Sequence, residues 1–454
     1  MRYIPNSAPE RADMLRDMGV DSIDSLFRIP AHLKLNDPLR LPAALSEPDT
    51  LRYFQSLAAQ NEVKKTSFLG AGAYHHYVPS VLHHMLRRGE FYTAYAPYQP
   101  EISQGTLQAI FEYQSLMTNL TGMEVSNASH YDGATAAAEA VSLAYAQYRG
   151  KRRKIVMSPT VNPQYRAVIR TYTQGMGVET AGDEATNYEV RPEALASLVD
   201  ESTMLVIVQY PDFFGCIHDY TKLIEASHAK GALVCIVANP TALAMFKTPG
   251  AMGADIVVGD GQPLGIPMWF GGPSVGFFTT RKQYIHKMAG RLVGETVDNK
   301  GQRAYVLTLT AREQHIKRER ATSNICTNQG LLALASAIYL SVLGKNGLKQ
   351  VAHLCYQKAH YAANALGNVK GYRVKFNDTF FHEFVLECPQ PASEVNAHLL
   401  EHGILGGYDL SQDYPSLKNH LLVAVTEMNS KEDIDTLVEV LSTGLLRVSE
   451  VKHG

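Results

Sequence analysis

The stretch Phe91-Tyr92-Thr93-Ala94-Tyr95-Ala96-Pro97-Tyr98-Gln99-Pro100-Glu101-Ile102-Ser103-Gln104-Gly105 is the densest mixture of aromatic and polar side chains in the chain. Pro97 and Pro100 hold it extended, and it runs into a helical pattern whose first-turn N–H groups lack intrahelical partners. Tyrosine, glutamine and glutamate on a stiff loop at a helix start suit contact with a ligand or a second subunit. They equally suit a well-capped loop whose tyrosines pack, and composition does not separate the two readings.

Other groups offer less. Asn127 to Ala140 opens an Ala-rich helix on small residues around Gly133. Its backbone amides and dipole could hold a phosphate, but close packing through the alanines is the favoured reading. In Arg320-Ala321-Thr322-Ser323-Asn324-Ile325-Cys326-Thr327, small polar side chains sit between two helical segments. They are expected to cap the next helix, or else to reach an anion across an interface. His75-His76 and His83-His84 are separated by Pro79 and have no carboxylate at a matching spacing, so no metal site is expected. Gly70-Ala71-Gly72 lacks the third glycine of a nucleotide fingerprint.

The elements that must position these residues follow from the whole chain. Its 454 residues suffice for a sizeable core and, by length, for about two to three domains. Hydrophobic residues make up 45% and charged residues 19%, an ordinary globular composition that argues against intrinsic disorder. Lys plus Arg number 42 against 44 Asp plus Glu, so the net charge of -2 gives no support to nucleic-acid or anionic-membrane binding. No apolar run is read as reaching the ~18–20 residues of a membrane span. Met1 to Asn6 resembles neither a signal peptide nor a transit peptide. The five cysteines include no Cys-x-x-Cys pair, which argues against a disulfide framework or zinc knuckle. A soluble, cytosolic protein is expected.

Residues 1–65 read as short helices interrupted by Pro30, Pro38, Pro42 and Pro48, an arm to be packed on the body or on another subunit. Over 66–343, apolar runs alternate with amphipathic segments. The runs include Lys154–Met157, Met204–Val208, Leu233–Val237, Asp255–Val258 and Val275–Phe278, and helical stretches include Ser103–Thr121, stopped by Gly122. Strands apolar on both faces, joined by helical crossovers, predict a large α/β domain with a mainly parallel sheet. Residues 344–454 predict a small α+β domain that starts near Gly344. It has strands at Tyr372–Phe376, His382–Leu386 and Leu421–Val425, then a capping box at Ser430–Asp433.

Taken together, these stretches resemble the glycine-cleavage P-protein family, in its subunit 1 or amino-terminal-half form. The resemblance covers nearly the whole chain. It rests on Arg2–Asn6 with Asp17–Val20, on Phe68-Leu69-Gly70-Ala71-Gly72-Ala73-Tyr74, and on Tyr98 to Gly105. It continues through Arg312-Glu313-Gln314-His315-Ile316 and Thr322 to Thr327. The family implies the type I fold of pyridoxal-phosphate (PLP) enzymes.

A cofactor-anchoring chain of that fold needs a Schiff-base Lys and an Asp that holds the pyridine nitrogen protonated. By strand order Ile236 is expected to stand at the acid's position, and Gln262-Pro263 where a His-Lys pair would fall. Lys247 and Lys282 lie in other elements. The resemblance therefore implies PLP anchored on a partner, subunit 2, in an α2β2 complex. It implies that glycine is decarboxylated with release of CO2, and that the aminomethyl group passes to the lipoyl arm of the H-protein. Tyr98, Gln99 and Glu101 would act in trans in the partner's site, with Thr322, Ser323 and Asn324 near the cofactor phosphate. A silent structural subunit and a stand-alone PLP enzyme are the rival readings, and the second lacks its Lys.

Overall fold

The computed structural model describes residues 6–443 except 31, 36, 38, 62–65, 93–95, 185–190, 324, 326 and 377–378. The chain divides into two units, 1–63 and 64–454. In the first, helices Ala8–Asp17 and Glu47–Ala58 begin on Ser7 and Ser46, whose hydroxyls accept the N–H groups of Glu10 and Asp49. Pro9 and Pro48 sit in the first turns, where a missing N–H costs nothing. No residue of either helix is buried.

The second unit holds four sheets, with strands numbered in chain order. β1 (Thr66–Ser67) pairs in parallel with β13 (Ile404–Leu405). The largest sheet has seven strands: β2 (Val125–Ser126), β3 (Lys154–Met157), β4 (Glu179–Ala181), β5 (Thr203–Tyr210), β6 (Leu233–Ala238), β7 (Ile256–Asp260) and β8 (Gly276–Thr280). Their order is β2-β8-β7-β6-β5-β3-β4. Strands β7, β6, β5, β3 and β4 run parallel, while β8 is antiparallel to β7 and β2 to β8.

The side chains of the central strands divide between two apolar layers. Val206, Val208, Val234, Ile236 and Val257 enter one. Leu205, Ile207, Cys235, Val237 and Val258 enter the other, against Ala136, Ala137 and Ala140 of the helix Gly133–Gln147. Glycine is required at the start of that helix by proximity. A Cβ on Gly133 would lie 2.6 Å from the Asp260 backbone nitrogen and 2.8 Å from the Gly259 carbonyl carbon. The favoured packing reading of this helix is the observed one.

β9 (Leu292–Val297) and β10 (Arg303–Thr308) form an antiparallel hairpin. The fourth sheet joins β11 (Arg373–Val374), β12 (Glu383–Glu387), β15 (His420–Ala424) and β14 (Tyr408–Asp409), all antiparallel. The capping box forms as read: Asp433 N–H donates to Ser430 Oγ, and Ser430 N–H to the Asp433 carboxylate. The helix Gln104–Thr121 ends on Gly122 in the left-handed region, at φ 72°.

The helix Gly330–Gly367 carries one non-helical residue, Gly344, at φ 59° and ψ -175°. By length and composition it could cross a membrane, which the sequence reading missed because serines and glycines interrupt its apolar residues. Its apolar side chains are instead core. Leu332, Ala335, Tyr339 and Leu348 pack with the large sheet's layer, and Ala359, Ala362 and Leu366 with that of the fourth sheet.

Candidate active site

In a parallel α/β sheet the C-terminal strand ends form the natural ligand crevice. Here the ends of β5, β6 and β7 supply Gln209, Val237 to Pro240, and Asp260 with Pro263. Gly72, Tyr74, Asn162 and Tyr165 complete a small cleft of about 40 Å3. Ile236 is not on its wall. It is fully buried between Val208 and Val257 in the sheet register. The polar group at that strand end is Asn239, whose Oδ1 accepts the Thr241 N–H and whose Nδ2 lies 3.1 Å from His382 Nε2. The position expected for the acid thus lies inside the sheet, and the residues that follow it, Val237 to Pro240, line the cleft. An amide there is uncharged and cannot hold a pyridinium as a carboxylate does.

The remaining groups fare no better against a PLP cofactor. Among the described residues, no lysine lines the cleft. Lys247 pairs with Asp219 and Thr221 instead, and Lys282 is exposed. Gln262, at the position read for the histidine, is buried and saturated. It accepts from the Tyr74 N–H and donates to the carbonyls of Tyr74 and Ile266, each at 2.8 Å. The start of the helix Gly133–Gln147, a ready anion site, is filled by the chain's own carboxylates. Asp132 accepts from Thr135 N–H at 2.7 Å, and Asp260 from Gly133 N–H at 3.0 Å. Burial pushes the Asp260 carboxyl up from its ordinary range, with the nearby Asp132 adding to the effect. A Cβ at Gly133 would meet the Tyr165 hydroxyl at 2.1 Å. Two carboxyls and a phenol occupy the place where a phosphate needs donors, so these residues do not fit an anchored PLP.

A second polar region lies around the loop singled out in the sequence. The Tyr98 hydroxyl accepts from Arg291 Nη2 at 2.8 Å, and Arg291 Nη1 donates to Asn328 Oδ1 at 3.2 Å. Gln104 ties the loop to β10 through both the N–H and the carbonyl of Tyr305, at 2.9 Å each. Gln99 and Glu101 are exposed. Thr322 and Ser323 line a separate small cleft with Gly290 and Glu313, and Glu313 approaches Arg291 to 4.0 Å. Arg291 and Glu313 therefore stand between the two candidate stretches. Asn324 lies outside the described residues.

Among the described residues of 320–327 none caps the next helix, which begins at Gly330 after Gln329 with no side-chain cap bond. Ser323 is engaged elsewhere, donating to Glu139 at 2.5 Å. Burial raises the Glu139 carboxyl to about 6.

Several polar residues of this site carried no sequence signal. Glu383, on β12, accepts from the Ala71 N–H and the Tyr74 hydroxyl, both at 2.7 Å, and burial raises its carboxyl to about 7. Glu427 accepts from the Tyr77 N–H and lies 2.7 Å from His76 Nδ1, a pairing that holds its carboxyl down at about 2 against the cost of burial. Cys355 Sγ donates to the same carboxylate at 3.3 Å. His76, Cys355 and Glu427 offer ligand atoms within 4.8 Å of one another. In this structure His76 and Cys355 both bond to the Glu427 carboxylate. Both carboxylates reach back to the 71–77 segment from more than 300 residues away, a separation that hides them from motif reading.

A NifS-like protein, 12% identical, superposes with a TM-score of 0.61 over 83% of this chain and 98% of its own. That likeness defines the class: the type I fold of PLP-dependent enzymes. A crystal structure of glycine decarboxylase (P-protein) of the glycine cleavage system, in inhibitor-bound form, is far nearer. It is 43% identical, with a TM-score of 0.89 over 97% of this chain and 99% of that one. A Brevibacillus brevis protein named probable glycine dehydrogenase (decarboxylating) subunit 1 is 51% identical over 444 residues, 97% of this chain and 98% of that one. The family model of the glycine cleavage system P-protein matches residues 1–441. This chain belongs to the glycine cleavage system P-protein family.

Proposed function

We propose that this chain is the subunit 1 type of the P-protein, a non-anchoring partner in glycine decarboxylation. It works with a PLP-bearing second subunit in an α2β2 complex in the cytoplasm. The complex releases CO2 from glycine and passes the aminomethyl group to the lipoyl arm of the H-protein. The observation that carries this reading is the cleft at the strand ends, which has no lysine among the described residues of its wall and carboxyls where a phosphate would sit. Family membership supports the activity, and the filled cleft supports placing the cofactor on the other chain.

In this reading Tyr98, Gln99 and Glu101 enter the partner's site in trans, and Thr322, Ser323 and Asn324 serve its phosphate end. The exposure of Tyr98, Gln99 and Glu101 supports such a role. The loop's attachment to Arg291 and Tyr305 supports a fixed presentation, which positions a small substrate better than a loose loop does. Exposed Leu33, Leu35, Leu39 and Leu41 in the arm support assembly with another chain.

The test is to reduce the purified complex with borohydride in the presence of PLP and map pyridoxyl-lysine by mass spectrometry. The adduct is expected on the second subunit only, and glycine–CO2 exchange is expected to need both chains. A stoichiometric adduct on any lysine of this chain overturns the assignment.

A further inference from the structure

His76, Cys355 and Glu427 come from three remote places: the segment after β1, the helix Gly330–Gly367, and the loop between β15 and the helix Lys431–Thr443. Their ligand atoms nevertheless lie within 4.8 Å of one another. His76 is 6% exposed, Cys355 is fully buried, and the Glu427 side chain is 8% exposed. None of the three is among the residues that line the cleft at the strand ends, and none has a part in the proposed function. The sequence reading weighed histidines against groups close to them in the chain, whereas this carboxylate stands 351 positions from His76.

The contacts converge on one oxygen. Glu427 Oε2 lies 2.7 Å from His76 Nδ1 and accepts from Cys355 Sγ at 3.3 Å. Two exchangeable protons, one on an imidazole and one on a thiol, thus face a single carboxylate oxygen. One divalent cation in place of an imidazolium proton and a thiol proton leaves the cluster with no net charge, as burial favours. The surroundings hold the donors for such an exchange. The Tyr77 N–H donates to Glu427 Oε1 at 2.7 Å, which turns Oε2 toward the other two donors. The Thr426 hydroxyl donates to the His75 carbonyl at 2.6 Å, and the Lys358 ammonium to the Glu427 carbonyl at 2.5 Å. Outer bonds of this kind orient metal ligands.

We propose that His76 Nδ1, Cys355 Sγ and Glu427 Oε2 bind one zinc ion, which clamps the 71–77 segment, the long helix and the end of β15 together. Binding sends the thiol proton and the Nδ1 proton to solvent, and no electron is transferred. The donors set the metal: calcium and magnesium take oxygen ligands, whereas one thiolate, one imidazole and one carboxylate suit zinc. Three protein ligands leave the fourth tetrahedral position to water. Metal–ligand distances of about 2.0–2.3 Å put tetrahedral donors about 3.3–3.7 Å apart, so the present contacts need shifts of about 1 Å. The site is independent of the placement of PLP.

The test is titration of the full purified chain, stripped with a chelator, with Zn2+ and separately with Co2+. One Zn2+ per chain is expected, retained through gel filtration and raising the melting temperature. Co2+ should give the visible bands of a tetrahedral site and a near-ultraviolet thiolate-to-cobalt charge-transfer band. Loss of an outer-shell partner costs about 10–100-fold in metal affinity, so Cys355→Ser and Glu427→Gln should each weaken Zn2+ by at least ~10-fold, and Cys355→Ser should abolish the charge-transfer band. The surface pair His398–His402, whose rings stand 4.7 Å apart, is the control for adventitious metal. His402→Ala should leave stoichiometry and spectrum unchanged. No retained Zn2+, Co2+ bound without the charge-transfer band, or binding lost in His402→Ala means an adventitious ion only and overturns the proposal. So does a Cys355→Ser chain that binds like wild type. Should Glu427→Gln fail to fold, the cobalt spectrum and Cys355→Ser still decide.

Discussion

Replacing Glu383 by glutamine should change how the stability of this chain depends on pH. Glu383 is 7% exposed, and burial raises its carboxyl from the ordinary 4.5 to about 7. The folded chain holds this proton more tightly than the unfolded chain does. The resulting stabilisation is complete below about pH 4.5 and is lost as the pH rises through about 7. One unit is worth about 1.4 kcal/mol, so the full swing is on the order of 3 kcal/mol. The substituted glutamine would mimic the protonated acid: its oxygen still accepts the Ala71 N–H, its amide faces the Tyr74 hydroxyl, and it cannot ionise. The assay is urea unfolding of wild type and Glu383→Gln at pH 5, 6, 7 and 8 at constant ionic strength. The variant should gain on wild type with rising pH, by up to about 3 kcal/mol at pH 8 relative to pH 5. Glu139 and Glu427 titrate in both proteins and cancel in the difference. A difference that stays flat across the range would refute the reasoning, because Glu383 would then be ionised in the folded state throughout.

Tyr98→Phe, Glu101→Gln and Thr322→Ala, each in complex with the second subunit proposed to bear PLP, should lower glycine–CO2 exchange by ~10-fold or more, over ~1.4 kcal/mol, with assembly and PLP content near wild type. If all three turn over like wild type, the loop is structural. Pro263→Lys alone should create no decarboxylase in this subunit, since the cleft keeps Asp132, Asp260 and Tyr165 where the cofactor's phosphate would go; glycine-dependent CO2 release from that chain without a partner contradicts this. Gly133→Ala should destabilise the chain by about 1–3 kcal/mol through overpacking, read as a lowered urea midpoint, because its Cβ would press on the Asp260 backbone and the Tyr165 hydroxyl. An unchanged midpoint would mean the helix can shift away from the sheet.

The parallel sheet was legible because its strands bury both faces and so read as unbroken apolar runs, Met204–Val208 and Leu233–Val237 among them. The capping box at Ser430 and the stop at Gly122 were legible because each depends on residues within a few positions of one another. The site was less so. Tyr98 stood out by composition, but its partner Arg291 lies 193 positions away, and nothing local distinguishes that arginine from any other. Thr322 to Thr327 has the composition of a cap, yet its Ser323 is drawn instead to a buried carboxyl on another helix. At the end of β6, the acid's expected place was set by counting along the strand. The cleft is set by where the strand stops, and that puts Asn239 rather than Ile236 on its wall.

The cleft at the strand ends is closed by the chain's own polar groups. A crevice at the ends of parallel strands leaves polar backbone groups that a bound cofactor would otherwise satisfy. Here the chain satisfies them itself. Asp260 accepts from the N–H groups of Gly133 and Gln262 and from the Ser274 hydroxyl, and Gln262 closes both backbone groups of Tyr74. Tyr74 in turn donates to Glu383 on β12, so the filled cleft also ties the large sheet to the C-terminal one. Removing any one of these groups leaves a buried partner unpaired, at about 1–3 kcal/mol each. Restoring a cofactor site would therefore require replacing Asp260, Gln262 and Pro263 together, and each single change costs stability before it gains a ligand.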